Sequence, residues 1–198
     1  MEVAKVHPAI EPYVRAVREQ PVAHPSSSSA EERREAYRQL SLANRGDVLP
    51  VDSVRDVELS LDGRTLRARL YVPANDESKA LVLYFHGGGF VVGDLDTHDA
   101  LCRRLASDTR MRFLSVEYRL APEHPFPAGI EDAVDSLRFV SSHLAEFDEP
   151  GAKLIVMGDS AGATLLTVAC ALTRREDLGI AAQVVGNFFI RKIIKIKV

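Results

Sequence analysis

Hydrophobic and polar positions change their rhythm near residue 50. Before it, "HPAIEPYVRAVRE" places Ile10, Val14 and Val17 at helical spacing, and "AEERREAYRQL" follows a polar "PSSSS" linker. Ser29 stands three residues before Glu32, which predicts a capping box at a helix start. After it, "SVRDVELS" and "TLRARLYV" alternate apolar and polar around "LDG", which predicts a hairpin turning at Asp62-Gly63. "ALVLYFH", "RFLSVEY" and "KLIVMG" are nearly unbroken apolar runs, as expected of strands covered on both faces. Helical periodicity lies between them, near Thr97–Thr109 and with Ile130, Val134, Leu137, Val140 and Leu144 on one face. A further helix is expected from Ala161 to Arg174, then a strand opening on "AAQVV". Strands alternating with helices predict an α/β chain, with a mostly parallel central sheet flanked by helices.

The run "VMGDSAGAT" breaks this pattern in an informative way. It places Gly158, Asp159, Ser160, Ala161 and Gly162 between an apolar strand and a helix of small residues. A serine on such a turn is displayed as a nucleophile, and the helix start beyond it offers free N–H groups and a positive dipole end. "HGGGF", His86 to Phe90, follows another buried strand. Three successive glycines cost backbone entropy, but they let the main chain approach a ligand and present donors to a developing oxyanion. These considerations nominate Ser160 as nucleophile, and the N–H groups of Gly88, Gly89 and Ala161 as the oxyanion hole. His86, Gly87, Gly158, Asp159 and Gly162 are expected to support them.

Together the two motifs resemble the hormone-sensitive-lipase-like family of α/β-hydrolases, a group of carboxylesterases. "SVEYRLAPEHPFPAGIEDA" (115–133) and "GDLDTHD" (93–99) add to the likeness, which extends from the N-terminal helices to about Val185. The resemblance implies an α/β-hydrolase fold with an N-terminal helical cap over an acyl pocket. It also implies hydrolysis of short- to medium-chain esters, a small-molecule ester as substrate, no cofactor, and a His86 that props the glycine loop rather than acting as base. Residues 1–48 are then the cap, 49–185 a partial hydrolase core and 186–198 a tail outside the family pattern.

The family order places an acid and then a histidine after the serine. No histidine follows Ser160 here, and the acids that do, Glu176 and Asp177, close the helix after the nucleophile. His7, His24, His86, His98, His124 and His143 all precede it and are expected to be surface or structural histidines. Composition changes at the same place. There are 18 Arg and 3 Lys before Gly186, then 1 Arg and 3 Lys; four isoleucines fall in the first 185 residues and four in the last 13. The expectation is a C-terminally truncated hydrolase with the last part of its sheet missing, impaired for want of a triad Asp and His, and able to self-associate through the uncovered sheet edge. "IIKIKV" also reads as an edge strand guarded by lysines. The alternative is a non-catalytic relative that binds a small molecule, as the plant gibberellin receptor does.

Charge and composition exclude other classes. A net charge of −3 gives no basic footprint for nucleic acid. No apolar run is long enough for a signal peptide or membrane span, and no H-E-x-x-H or similar metal spacing occurs. Cys102 and Cys170 are expected as two buried free thiols, which points to the cytoplasm.

Overall fold

The computed structural model describes residues 28–76, 79–148 and 151–186, the backbone of Ile194–Ile196, and isolated positions at Pro8, Glu11 and Arg15. The expected first helix around Ile10, Val14 and Val17, together with His7, His24 and most of the tail, lies outside the described residues.

Helix α1 (Ala30–Asn44) begins where the capping box places it. Ser29 Oγ accepts from Glu32 N at 3.1 Å, and Ser29 N donates to the Glu32 carboxylate at 2.7 Å. β1 (Ser53–Leu61) and β2 (Arg64–Val72) pair antiparallel around Asp62-Gly63, where Gly63 adopts a left-handed φ of 71°. β3 (Ala80–Phe85), α2 (Asp99–Thr109), β4 (Arg112–Val116), α3 (Ala128–Ser142), α4 (Leu144–Phe147), β5 (Lys153–Asp159), α5 (Ala161–Leu172) and β6 (Ile180–Gly186) follow. β7 (Ile194–Ile196) closes the order. The sheet runs β1-β2-β4-β3-β5-β6-β7. Its centre, β4-β3-β5-β6, is parallel, and its margins are antiparallel. At the β7 margin Ile194, Lys195 and Ile196 pair with Val185, Val184 and Gln183 of β6.

The unbroken apolar runs have a simple cause. Leu81, Leu83 and Phe85 of β3 face one layer, where α3 and α5 contribute Leu137, Val140, Leu165 and Leu166. Val82 and Tyr84 face the other, against Cys102 and Ala106 of α2 and Phe113 of β4. All six residues of β3 are buried, so neither face needs a polar side chain. Burying each large aliphatic side chain contributes about 1.5–3 kcal/mol.

Two expectations need correction. The third helix ends at Ser142 instead of reaching Leu144, because His143 turns back and donates from both its backbone N and its ring Nδ1 to Phe139 O, at 2.9 and 2.8 Å. Leu144 opens the separate short α4. Both thiols are free, but only Cys102 is buried; Cys170, on the outer part of α5, is half-buried.

Candidate active site

Phe85 at the end of β3 is in register with Gly158 near the end of β5, so the chains leaving these neighbouring strands run side by side. One carries the glycine loop and the other carries Ser160. Ser160 sits at φ 48° and ψ −113°, between β5 and α5. A non-glycine residue held there costs about 1–3 kcal/mol, which the surroundings must offset. Ser160 N donates to Gly186 O at 2.7 Å, and Ser160 O accepts from Thr164 N at 3.1 Å, opening α5.

The flanking glycines are required by contact. A Cβ on Gly158 would stand 2.6 Å from Gly162 C, and one on Gly162 would overlap the backbone oxygens of Phe85 and His86. Strand, elbow and helix therefore pack at a separation that no side chain permits.

The glycine loop is held from several sides. Asp159 Oδ1 accepts from Gly87 N at 2.9 Å and from Tyr84 Oη at 2.5 Å. Gly88 O accepts from Val91 N and Val92 N at 3.1 and 3.0 Å, and Phe90 O accepts from Ala121 N at 2.9 Å. Gly88, Gly89 and Phe90 all have positive φ, of 130°, 59° and 65°. A side chain on Gly87 would run into the Asp159 carboxylate. The extra donors expected at Ala161 follow from its place at the start of α5, where the first N–H groups have no partner within the helix.

His86 is fully buried beneath this loop. Its Nδ1–H donates to Gly87 O at 2.7 Å, its ring stacks on Tyr118 at 4.4 Å, and Tyr118 Oη donates to His86 O at 2.8 Å. Burial, and then the neighbouring His98, push its pKa down to about 4. The imidazole is therefore neutral at pH 7, with its proton on Nδ1.

A family model for the alpha/beta hydrolase fold matches residues 82–187, the stretch that contains both the loop and the elbow. The chain is 43% identical to esterase LipI of Mycobacterium tuberculosis, over 87% of this chain and 53% of that protein. It is 39% identical to an ethyl acetate hydrolase of Pseudomonas putida, over 70% of this chain and 45% of that one. Among solved structures, a hyperthermophilic esterase from Pyrobaculum calidifontis superposes with a TM-score of 0.81 at 34% identity, covering 90% of this chain and 57% of the other. The chain belongs to the hormone-sensitive-lipase-like family of α/β-hydrolases. It spans about half the length of the curated relatives it matches.

The described histidines are engaged elsewhere. Among the described residues no hydrogen bond joins Ser160 Oγ to an imidazole. His86 is occupied by Gly87; His98 is buried beside Thr97, whose Oγ1 lies 3.1 Å from its Nδ1; His143 caps α3. His124 N donates to Leu120 O in the loop before α3. Among the described residues no cluster of three His, Cys, Asp or Glu could hold a metal ion, and no helix is long and apolar enough to cross a membrane.

The hydrolase core meets α1 across a cleft of about 830 Å³, lined in part by Tyr37, Leu40, Leu49, His98, Leu101 and Asp159. Asp159 thus faces the cleft as well as the loop.

Sequence reasoning passed over three groups that shape the site. Tyr84 and Tyr118 look like core aromatics, yet their hydroxyls bind Asp159 and His86 O. Asp132 looks like a polar position on α3, yet its buried carboxylate accepts from Arg119 N at 2.8 Å and Arg64 Nε at 2.7 Å. That fixes the residue next to Tyr118. The only sequence signal was their place within the runs "ALVLYFH" and "SVEYRLAPEHPFPAGIEDA".

Proposed function

We propose that this chain carries the nucleophile and oxyanion half of a carboxylic ester hydrolase acting on short- to medium-chain acyl esters. The observation that carries the reading is the Asp159–Gly87 hydrogen bond, because it ties the strained serine elbow to the triple-glycine loop. The names of the relatives, esterase and ethyl acetate hydrolase, support the same reading.

In this reading Ser160 Oγ attacks the ester carbonyl, and Gly88, Gly89 and Ala161 N–H groups take the negative charge that develops on its oxygen. Asp159, His86, Gly87, Gly158 and Gly162 hold those donors in place. The serine needs a base to accept its proton. No histidine follows Ser160 within the 198 residues, and the acids that do, Glu176 and Asp177, close the region after α5. Loss of a triad member leaves roughly 10³–10⁴-fold catalysis over water in serine hydrolases.

Hydrolysis of p-nitrophenyl butyrate by the 198-residue chain, with Ser160→Ala as control, tests this. Weak turnover abolished by the substitution is expected. Saturable binding of small molecules, with turnover indifferent to Ser160, would favour the non-catalytic receptor-like alternative.

The free thiols of Cys102 and Cys170 support a cytoplasmic location, which cell fractionation tests. Self-association through the β7 margin is a further part of this reading, and sedimentation against concentration tests it.

A further inference from the structure

Oxyanion donors are only as well aimed as the loop that carries them, and three consecutive glycines give a loop no rigidity of its own. Its tethers are therefore informative. Asp159 holds the front at Gly87, and Ala121 N holds the middle at Phe90 O. The rear, Val91, is held by a side chain from a different part of the chain. Arg34 of α1 donates from Nε to Val91 O at 2.8 Å. The same guanidinium donates to Ala121 O at 2.9 Å and grips both oxygens of Glu123, at 2.8 and 2.6 Å.

One planar fork thus joins α1, the glycine loop and the 121–123 segment. Four donors in fixed geometry do what a lysine, with its single nitrogen, cannot. The guanidinium also binds the very residue, Ala121, whose own N–H holds Phe90 O, so the middle and rear tethers both depend on it. Arg38, one turn further along α1, pairs with the Asp94 side chain at 2.6 Å and touches no carbonyl of the loop.

We propose that Arg34 is a positioning residue for the oxyanion loop: by binding the carbonyls of Val91 and Ala121 and the Glu123 carboxylate, it makes the aim of the Gly88 and Gly89 N–H groups depend on the docking of α1. This inference rests on the esterase reading for its function, but its geometry does not.

The experiment compares Arg34→Met, Arg34→Lys and Arg38→Met in the full chain. Amide hydrogen exchange reports loop order. Titration with butylphosphonate, a stable tetrahedral anion, followed at the Gly88 and Gly89 amides by NMR, reports the donors themselves. A lost charge-assisted hydrogen bond corresponds to roughly tenfold or more. Exchange across 87–92 should rise about tenfold in both Arg34 variants and phosphonate binding should weaken by about the same factor, while Arg38→Met stays near the parent. If Arg34→Met fails to fold, Arg34→Lys decides, since it keeps the charge beside Glu123. Unchanged exchange at 87–92, or an equal effect from Arg38→Met, overturns the proposal. Phosphonate that binds the parent nowhere near Gly88 and Gly89 sinks the esterase reading and leaves the exchange result to judge Arg34.

Discussion

Asp159 and Gly87 are 72 residues apart in sequence and hydrogen-bonded at 2.9 Å. The carboxylate that precedes Ser160 thereby sets the height of the triple-glycine loop. On the esterase reading these two segments act on one carbonyl carbon, and one side chain ties them together.

Removing that side chain should loosen both. Asp159→Ala leaves Gly87 N and the buried Tyr84 hydroxyl without their acceptor, and a loss of about 1–3 kcal/mol is expected. Asp159→Asn keeps an oxygen for both donors and should lose clearly less. Urea unfolding of the two variants checks this, and equal losses would show that the hydrogen bonds do not matter.

Ser160 is expected to be stable at its own expense. Its φ of 48° suits glycine, so Ser160→Gly should be more stable than Ser160→Ala by about 1 kcal/mol, even though glycine gains entropy in the unfolded chain. Both variants should lose Ser160-dependent turnover. Thermal unfolding ranks them, and an alanine variant at least as stable as the glycine one would refute strain at the elbow.

Gly162 of α5 and Gly186 of β6 should respond very differently to a methyl group. Gly162→Ala drives Cβ into the Phe85 carbonyl and should cost about 3 kcal/mol or prevent folding. At Gly186 a Cβ meets nothing nearer than Gly158 O at 3.6 Å, so Gly186→Ala should stay within about 0.5 kcal/mol of the parent. Soluble yield and denaturation midpoint read the contrast.

Acid should act first through His86 and the adjoining buried His98, whose pKa burial also lowers. The His86 pKa of about 4 in the folded chain lies below the ordinary value of 6.5. Between those values the unfolded chain binds a proton that the folded chain refuses, so stability falls as pH drops from about 6.5 to 4. Below 4 this contribution is lost in full, at about 3 kcal/mol. The Arg34 guanidinium holds the Glu123 carboxyl down at about 2, so what that pair contributes is lost as pH falls from the ordinary 4.5 towards 2. His86→Gln should flatten the upper part of the profile while leaving the lower part. Denaturation midpoints from pH 7.5 to 3 give the answer, and an unchanged slope between 6.5 and 4 would exclude His86 as its cause.

The alternating and apolar runs, the Asp62-Gly63 turn, the Ser29–Glu32 box and the two glycine motifs all depend on neighbours within a few residues. Their chemistry is local: a Cβ that cannot be tolerated, a cap three residues away, a strand with no polar face. Those features determined the α/β order, placed Ser160 at the end of a buried strand, and marked Gly158 and Gly162 as supports of the turn that carries it. The partners of Asp159, and the roles of Tyr84, Tyr118, Asp132 and Arg34, came only with the tertiary structure. Each depends on a partner between 13 and 89 residues away, or on a sheet order in which β3 lies between β4 and β5. A carboxylate, a hydroxyl or a guanidinium carries no mark in the sequence of which distant carbonyl or N–H it will meet, because hydrogen-bond partners are chosen by packing after the chain has closed.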